Sequence, residues 1–270
     1  MKYISEKFTT GIVWLASYPK SGNTWLRFLL YNYLYKEAQK TEDIARKIPD
    51  IHVRGTTLSV RQTEPLFCKT HLMLSEHHPG LADTAGFIYV LRHPKDVLLS
   101  NLNFFKMIAP AKMNKEAGGF SEQEFARGFI ANMGVRKWTS MGMGSWDEHV
   151  SSWISKPRYP HIVLRYEAML RDPHANLKNV LEFLKVPVDP NRLNRAVYLS
   201  SFERMRAMEE AERKKGKIGP VFAPKPETAK TGMRFMNKGK SGQTLRDLGE
   251  GIEEEFNDKF RDVLRAYGYE

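Results

Sequence analysis

Apolar residues fall along this chain in two rhythms. Short continuous runs recur at 11–17 (GIVWLAS), 65–71 (PLFCKTH), 87–91 (FIYVL) and 161–166 (HIVLRY). Runs of that length bounded by polar residues predict buried strands. Between them the apolar positions follow a helical period. Residues 23–40 are apolar nearly all round and predict a buried helix. Residues 93–105 carry the third strand into a helix, with Pro94 suited to its first turn. Trp146, Val150, Trp153 and Ile154 share one helical face. Leu177, Val180, Leu181 and Leu184 follow at i, i+3, i+4 and i+7, and a last helix carries Ile252, Phe256, Phe260, Val263, Leu264 and Tyr267.

Strands alternating with helices predict an α/β fold. We expect a single domain over residues 1–270: a central, mostly parallel β-sheet flanked by helices, with a P-loop-like nucleotide-binding core. There is no internal repeat. Two stretches break the pattern. Residues 106–145 are rich in Met, Gly and Phe and read as an insertion or lid. Residues 213–240 hold nine Lys/Arg against one acid, Glu227, and read as a mobile basic loop.

Charge narrows the partners. The net charge is +11, from 42 basic and 31 acidic residues, which favours nucleic acid, an anionic membrane or a phosphorylated small molecule. The single cysteine, Cys68, excludes an intramolecular disulfide and fits a reducing compartment. No apolar run approaches the ~20 residues of a membrane span, and the run GIVWLA lacks a cleavage site. The expectation is a cytoplasmic protein.

The stretch 14–30 (WLASYPKSGNTWLRFLL) nearly forms a Walker A loop, but Lys20 precedes Gly22 instead of following it. Backbone N–H groups of a turn before a helix favour an anion. Lys20 adds a charge, and Ser21, Gly22, Asn23 and Thr24 supply a flexible, hydroxyl-bearing turn. The plainer alternative is a helix N-cap by Ser21 or Asn23. Among eight histidines, His71 is slightly favoured as a general base by its place at a strand end, with His149 next.

The octapeptide 18–25 (YPKSGNTW) resembles the 5′-phosphosulfate-binding loop of the sulfotransferases that use 3′-phosphoadenosine-5′-phosphosulfate (PAPS). It matches every fixed position of Tyr-Pro-Lys-Ser-Gly-x-Thr-Trp. The resemblance implies that Lys20 lies near the bridging oxygen of the donor and that no metal is needed. FIYVLR agrees, ending in arginine where a magnesium site would want Asp. The segment 90–100 (VLRHPKDVLLS) resembles the family's 3′-phosphate site, implying that Arg92 and Ser100 bind that phosphate. Asp96 reads as a local cap or pair. Residues 165–173 (RYEAMLRDP) and 200–205 (SSFERM) resemble the adenine-side segments, implying Tyr166, Ser200 and Phe202 by the base with Trp25 stacked on it. Residues 235–242 (FMNKGKSG) resemble Phe-Met-Arg-Lys-Gly-x-x-Gly, so Lys238 and Gly239 match while Asn237 replaces the family's arginine. Lys240 or another lysine of the basic loop is expected to compensate, and the match implies that this loop closes over the nucleotide.

Lys69-Thr70-His71 resembles the family's Lys-Thr/Ser-His, implying His71 as base and Lys69 on the sulfuryl oxygens. The implied reaction is in-line transfer to an acceptor hydroxyl or amine, releasing adenosine 3′,5′-bisphosphate (PAP), with Ser100 restraining Lys20 until the acceptor binds. Met107, Ile108, Met113, Phe120, Phe125, Phe129, Met133, Met141 and Met143 make residues 106–145 apolar, so the expected acceptor is small and lipophilic or aromatic, although a buried core accounts for many of them equally well. The basic residues are not interleaved with aromatics as a nucleic-acid platform would require. Alternatives are a nucleotide- or nucleic-acid-binding protein of this fold without turnover, and a nucleotide kinase, which would need a lysine after Gly22. The family's C-terminal dimer motif is not found, and the oligomeric state stays open.

Overall fold

The computed structural model describes residue 8 and residues 10–61, 63–109, 119, 121–216, 219–222 and 233–269. Met113, Phe120 and residues 217–218 and 223–232 of the basic stretch lie outside the described residues. β1 (Ile12–Ala16) is buried at every position. It pairs in parallel with β2 (Leu66–Thr70) on one side and β3 (Thr84–Leu91) on the other. β4 (His161–Arg165) adds to β3, also in parallel, giving the order β2-β1-β3-β4.

Successive strand residues point to opposite faces, and two cores result. Val13, Leu15, Ile88 and Val90 pack under α1 (Asn23–Leu34), α8 (Pro173–Phe183) and α9 (Pro190–Leu199). Trp14, Phe87 and Tyr89 pack on the opposite face with α3 (Pro94–Ile108), α6 (Trp146–Ile154) and α11 (Ile252–Ala266). The expected parallel sheet covered on both faces is what the chain forms.

The register decides which loops meet. Ala16 pairs with Thr70, so the next residues, Ser17 and His71, leave the sheet side by side. Leu91 pairs with Arg165, so Arg92 and Tyr166 do the same one strand over. Both pairs emerge at the carboxyl ends of parallel strands, where crevices of this architecture lie.

One predicted helix is shorter than its pattern. The apolar run 23–40 predicts a single helix, but α1 ends at Leu34. Asn32 Oδ1 accepts the Ala38 N–H at 3.0 Å, turning the chain, and a separate α2 (Thr41–Lys47) follows. Thr41 N–H then donates to the Glu212 carboxylate at 2.7 Å. Glu212 sits on α10 (Phe202–Lys214). The 106–145 stretch contains α4 (Glu122–Ala131) and α5 (Arg136–Ser140). α7 (Tyr166–Arg171) links β4 to α8.

Candidate active site

The turn between β1 and α1 is held by its own backbone. Ser21 N–H donates to Tyr18 O at 3.2 Å. Lys20 and Gly22 both adopt positive φ, 73° and 107°. Gly22 is required: a Cβ there would lie 2.5 Å from Tyr166 Cδ2. Gly22 is also the residue before α1, and no side chain caps the helix. The first N–H groups of α1 are therefore not used up by Ser21 or Asn23, and the N-cap alternative does not hold. Asn23 turns inward instead, its Nδ2 donating to Leu15 O at 2.8 Å, which ties the turn to the strand.

A cleft of ≈ 1410 Å³ opens at this end of the sheet. Lys20, Gly22, Asn23, Thr24 and Trp25 line it from the turn. Lys69 and His71 line it from β2, Arg92 and Ser100 from the end of β3 and α3, and Tyr166 and Phe202 from the opposite wall. Asn237, Lys238 and Gly239 complete that wall. Two expected residues do not reach it. Ser21 is 1% exposed and its hydroxyl finds no partner. Ser200 is fully buried, where its Oγ accepts Asn32 Nδ2 at 3.0 Å, and its neighbour Ser201 lines the cleft instead.

Lys20 Nζ lies 3.6 Å from the Phe235 ring centroid and 4.7 Å from that of Phe104. Burial pulls its pKa down to about 7, with help from the positive charges of Lys69 and Arg92. Its contact is with these rings and not with Ser100. The Arg92 guanidinium braces the site. Nη1 donates to Lys20 O at 3.1 Å, Nη2 to Lys240 O at 2.9 Å, and the plane sits 4.2 Å over Tyr166. Its Nε is buried without a partner. Trp25 meets Tyr166 edge-on at 5.8 Å.

The far wall is held by two carboxylates. Glu209, fully buried, accepts Phe235 N–H at 2.7 Å and Met236 N–H at 2.9 Å. Asp96 accepts Gly242 N–H at 2.9 Å and Gln243 N–H at 3.2 Å. Its partners are thus 146 and 147 residues away, which corrects the local reading of Asp96. Gly239 has φ 61° and packs on the Phe202 ring.

The protonation pattern around His71 follows from its partners. Nδ1 is 2.6 Å from Ser17 O. A carbonyl only accepts, so Nδ1 carries the proton and Nε2 keeps its lone pair. Burial and the Lys69 charge hold the His71 pKa well below the ordinary 6.5, so the ring is neutral. Its backbone is fixed on both sides. His71 N–H donates to His52 Nε2 at 2.8 Å, and His149 Nε2 donates to His71 O at 3.0 Å. His149 Nδ1 then accepts the Tyr89 hydroxyl at 2.8 Å. Both nitrogens of His149 are engaged in the core, so neither is left to accept a proton from a ligand.

Lys69 is not a free cation. Its Nζ pairs with Asp50 Oδ2 at 2.6 Å. Asp50 and His52 both line the cleft, and neither is signalled by any motif, because they lie about twenty residues before the strand they touch. The apolar residues of 106–145 divide. Met141 and Leu99 line the cleft, Trp138, Met143 and Leu102 line it from the edge of the core, and Phe125 and Phe129 lie in the core alone.

Known proteins match this arrangement. Residues 11–268 match the model of the sulfotransferase domain. The chain is 30% identical over 257 residues to sulfotransferase 1 family member D1 of Rattus norvegicus, covering 91% of this chain and 81% of that protein. Two crystal structures share the fold at 21% identity. Mouse sulfotransferase SULT7A1 complexed with PAP superposes with TM-score 0.61 over 99% of this chain and 90% of that one. Retinol dehydratase in complex with androsterone and PAP gives 0.60 over 94% and 80%. The chain belongs to the sulfotransferase family and is a sulfotransferase. Among the described residues no helix is long and apolar enough to cross a membrane.

Proposed function

We propose that this enzyme transfers the sulfuryl group of PAPS to a hydroxyl or amine of a small, largely apolar acceptor, with His71 as general base. The observation that carries the reading is one cleft lined both by the cationic turn at Lys20 and by His71, whose Nε2 is left as a proton acceptor.

The donor's 5′-phosphosulfate meets the N–H groups of the turn up to Thr24 and the Lys20 ammonium. Its 3′-phosphate meets Arg92, Ser100, Lys238 and Lys240. Adenine lies among Trp25, Tyr166 and Phe202, with Ser201 supplying the hydroxyl that the sequence assigned to Ser200. The crystallised relatives bound to PAP support a nucleotide of this kind. His71 Nε2 takes the proton of the acceptor O–H as that oxygen attacks sulfur. The new O–S bond forms as the bond from sulfur to the bridging phosphate oxygen breaks, and PAP leaves with the bridging electrons. Lys20 meets the charge growing on the departing phosphate, and Lys69 faces the sulfuryl oxygens. No enzyme-bound sulfate intermediate forms, and Cys68, buried and with its thiol pushed up to about 12 by burial, takes no part.

Leu99, Leu102, Trp138, Met141 and Met143 support an apolar or aromatic acceptor, and the androsterone bound to retinol dehydratase is of that chemistry. Sulfur-labelled PAPS incubated with this protein and panels of phenols, alcohols, amines and sugars tests the reading. Label transfer to an apolar phenol or alcohol is expected. Transfer to sugars alone would contradict the acceptor class, and no transfer to any panel would contradict the reaction.

A further inference from the structure

The segment before β2 grips the catalytic strand from its outer side. Asp50 forms an isolated parallel bridge with Lys69. Lys69 N–H donates to Pro49 O at 2.8 Å, and Ile51 N–H donates to Lys69 O at 3.2 Å. The two residues are thereby fixed next to each other through their backbones. The Asp50 carboxylate uses both oxygens. Oδ2 meets Lys69 Nζ at 2.6 Å, and Oδ1 accepts the His52 N–H at 3.0 Å. His52 Nε2 in turn accepts the His71 N–H at 2.8 Å. One short segment thus holds the side chain of Lys69 and the backbone of His71 at the cleft wall.

Without a counter-ion this place would not hold an ammonium. The Lys69 and Asp50 side chains are 14% and 11% exposed. Burial pulls the Lys69 pKa down, Arg27 adds to that, and Asp50 is the largest opposing influence. The other charged or titratable groups facing this pair are Lys20, Cys68, His52 and His71. Asp50 is itself held ionised, well below the usual carboxylate range, by the Lys69 ammonium and the Arg27 guanidinium, against the cost of burial.

We propose that Asp50 is a positioning residue for sulfuryl transfer: its carboxylate keeps the Lys69 ammonium charged and oriented beside His71, facing the group in transit. The proposal rests on the function proposed above. An ion pair of purely structural use would set stability and leave the rate of the bound complex alone. Asp50 acting through Lys69 sets kcat and its pH profile, and leaves PAP affinity to the other end of the cleft.

The test compares wild type, Asp50→Asn, Asp50→Glu, Lys69→Met and the double variant Asp50→Asn/Lys69→Met. PAP binding is measured by calorimetry and kcat across pH on any acceptor found active. Asp50→Asn should lower kcat by roughly 10- to 100-fold, leave the Kd for PAP unchanged below pH 7, where Lys20 is already charged, and move the alkaline limb of kcat to lower pH. Asp50→Glu, which keeps the charge, should keep the wild-type pH profile and restore part of the rate. The double variant should match Lys69→Met. A wild-type kcat and pH profile in Asp50→Asn would overturn the proposal, as would losses that multiply in the double variant. If Asp50→Asn does not fold, Lys69→Met decides: a kcat and alkaline limb unchanged from wild type overturn the proposal. Wild-type protein that fails to bind PAP would instead overturn the function on which it rests.

Discussion

Lys20 Nζ stands 3.6 Å over the ring of Phe235, and the Phe235 N–H is tied at 2.7 Å to the buried carboxylate of Glu209. The lysine proposed to meet the donor is thus covered by an aromatic ring anchored from helix α10. This cover sets its proton affinity. Burial, Lys69 and Arg92 lower the Lys20 pKa to about 7. Below that pH the side chain is charged, and as pH rises through it the proton is lost. PAP, an anion, favours the charged form. Its affinity is therefore expected to be highest below pH 7 and to fall by up to about tenfold per pH unit above it, until the pKa of the complex is reached. Calorimetric titration at several pH values checks this, and Lys20→Met should remove the slope.

His71 offers a separable test. Its Nδ1–H is committed to Ser17 O, and its neutral form is favoured to well below pH 6.5. His71→Ala is expected to lower kcat by about 10²–10⁴ and to leave PAP binding intact. In the wild type the acid limb of kcat/KM should lie below pH 6.5, measured with any acceptor found active.

Asn237 stands in the cleft wall where the family pattern has arginine. Lys238 and Lys240 are the neighbouring cations on that wall. Adding a charged donor to a phosphate site gains roughly 1.5–3 kcal/mol at best. Asn237→Arg is expected to tighten PAP binding by up to about 10- to 150-fold, with kcat little changed. Unchanged affinity would show that Lys238 and Lys240 already satisfy the phosphate.

The buried histidines make the fold acid-sensitive. Burial lowers the pKa of His149 to about 3, and those of His52, His78 and His93 to about 4. The unfolded chain binds these protons near pH 6.5, where the folded chain does not. Stability is therefore full above pH 6.5 and is lost as pH falls toward 4, each group contributing about 1.4 kcal/mol per pH unit in that window. Thermal unfolding followed between neutral and mildly acid pH should show Tm falling steadily, with a shallower fall in His78→Gln.

Much of this site is local in sequence, and that part is legible. The turn 18–25 lies between a buried strand and a buried helix, so its motif and its setting are read together. Arg92 and Ser100 are eight residues apart across one strand end and the helix after it. What the sequence hides depends on distant pairing. Asp50 and His52 meet Lys69 and His71 only because an isolated bridge lies beside β2. Asp96 looks like a helix-start cap, yet it holds the backbone of Gly242 and Gln243. Ser200 and Ser201 are indistinguishable as hydroxyls until the end of α9 turns the first inward to Asn32. Asn32 also explains the early end of α1, since a mid-helix asparagine gives no warning that it will accept from Ala38. α9 leaves little trace in the pattern because few of its positions are buried, Leu193 and Ala196 among them.

The central claim is that the Lys20 turn and the Arg92 brace form one site for an adenosine nucleotide phosphorylated at both ends. Isothermal titration of the wild-type protein with PAP, alongside Arg92→Ala and adenosine 5′-monophosphate, addresses it directly. Saturable one-to-one binding to the wild type, much weakened by Arg92→Ala and by loss of the 3′-phosphate, is the predicted result. No binding of PAP to the folded wild type, or equal affinity for both nucleotides, would contradict it.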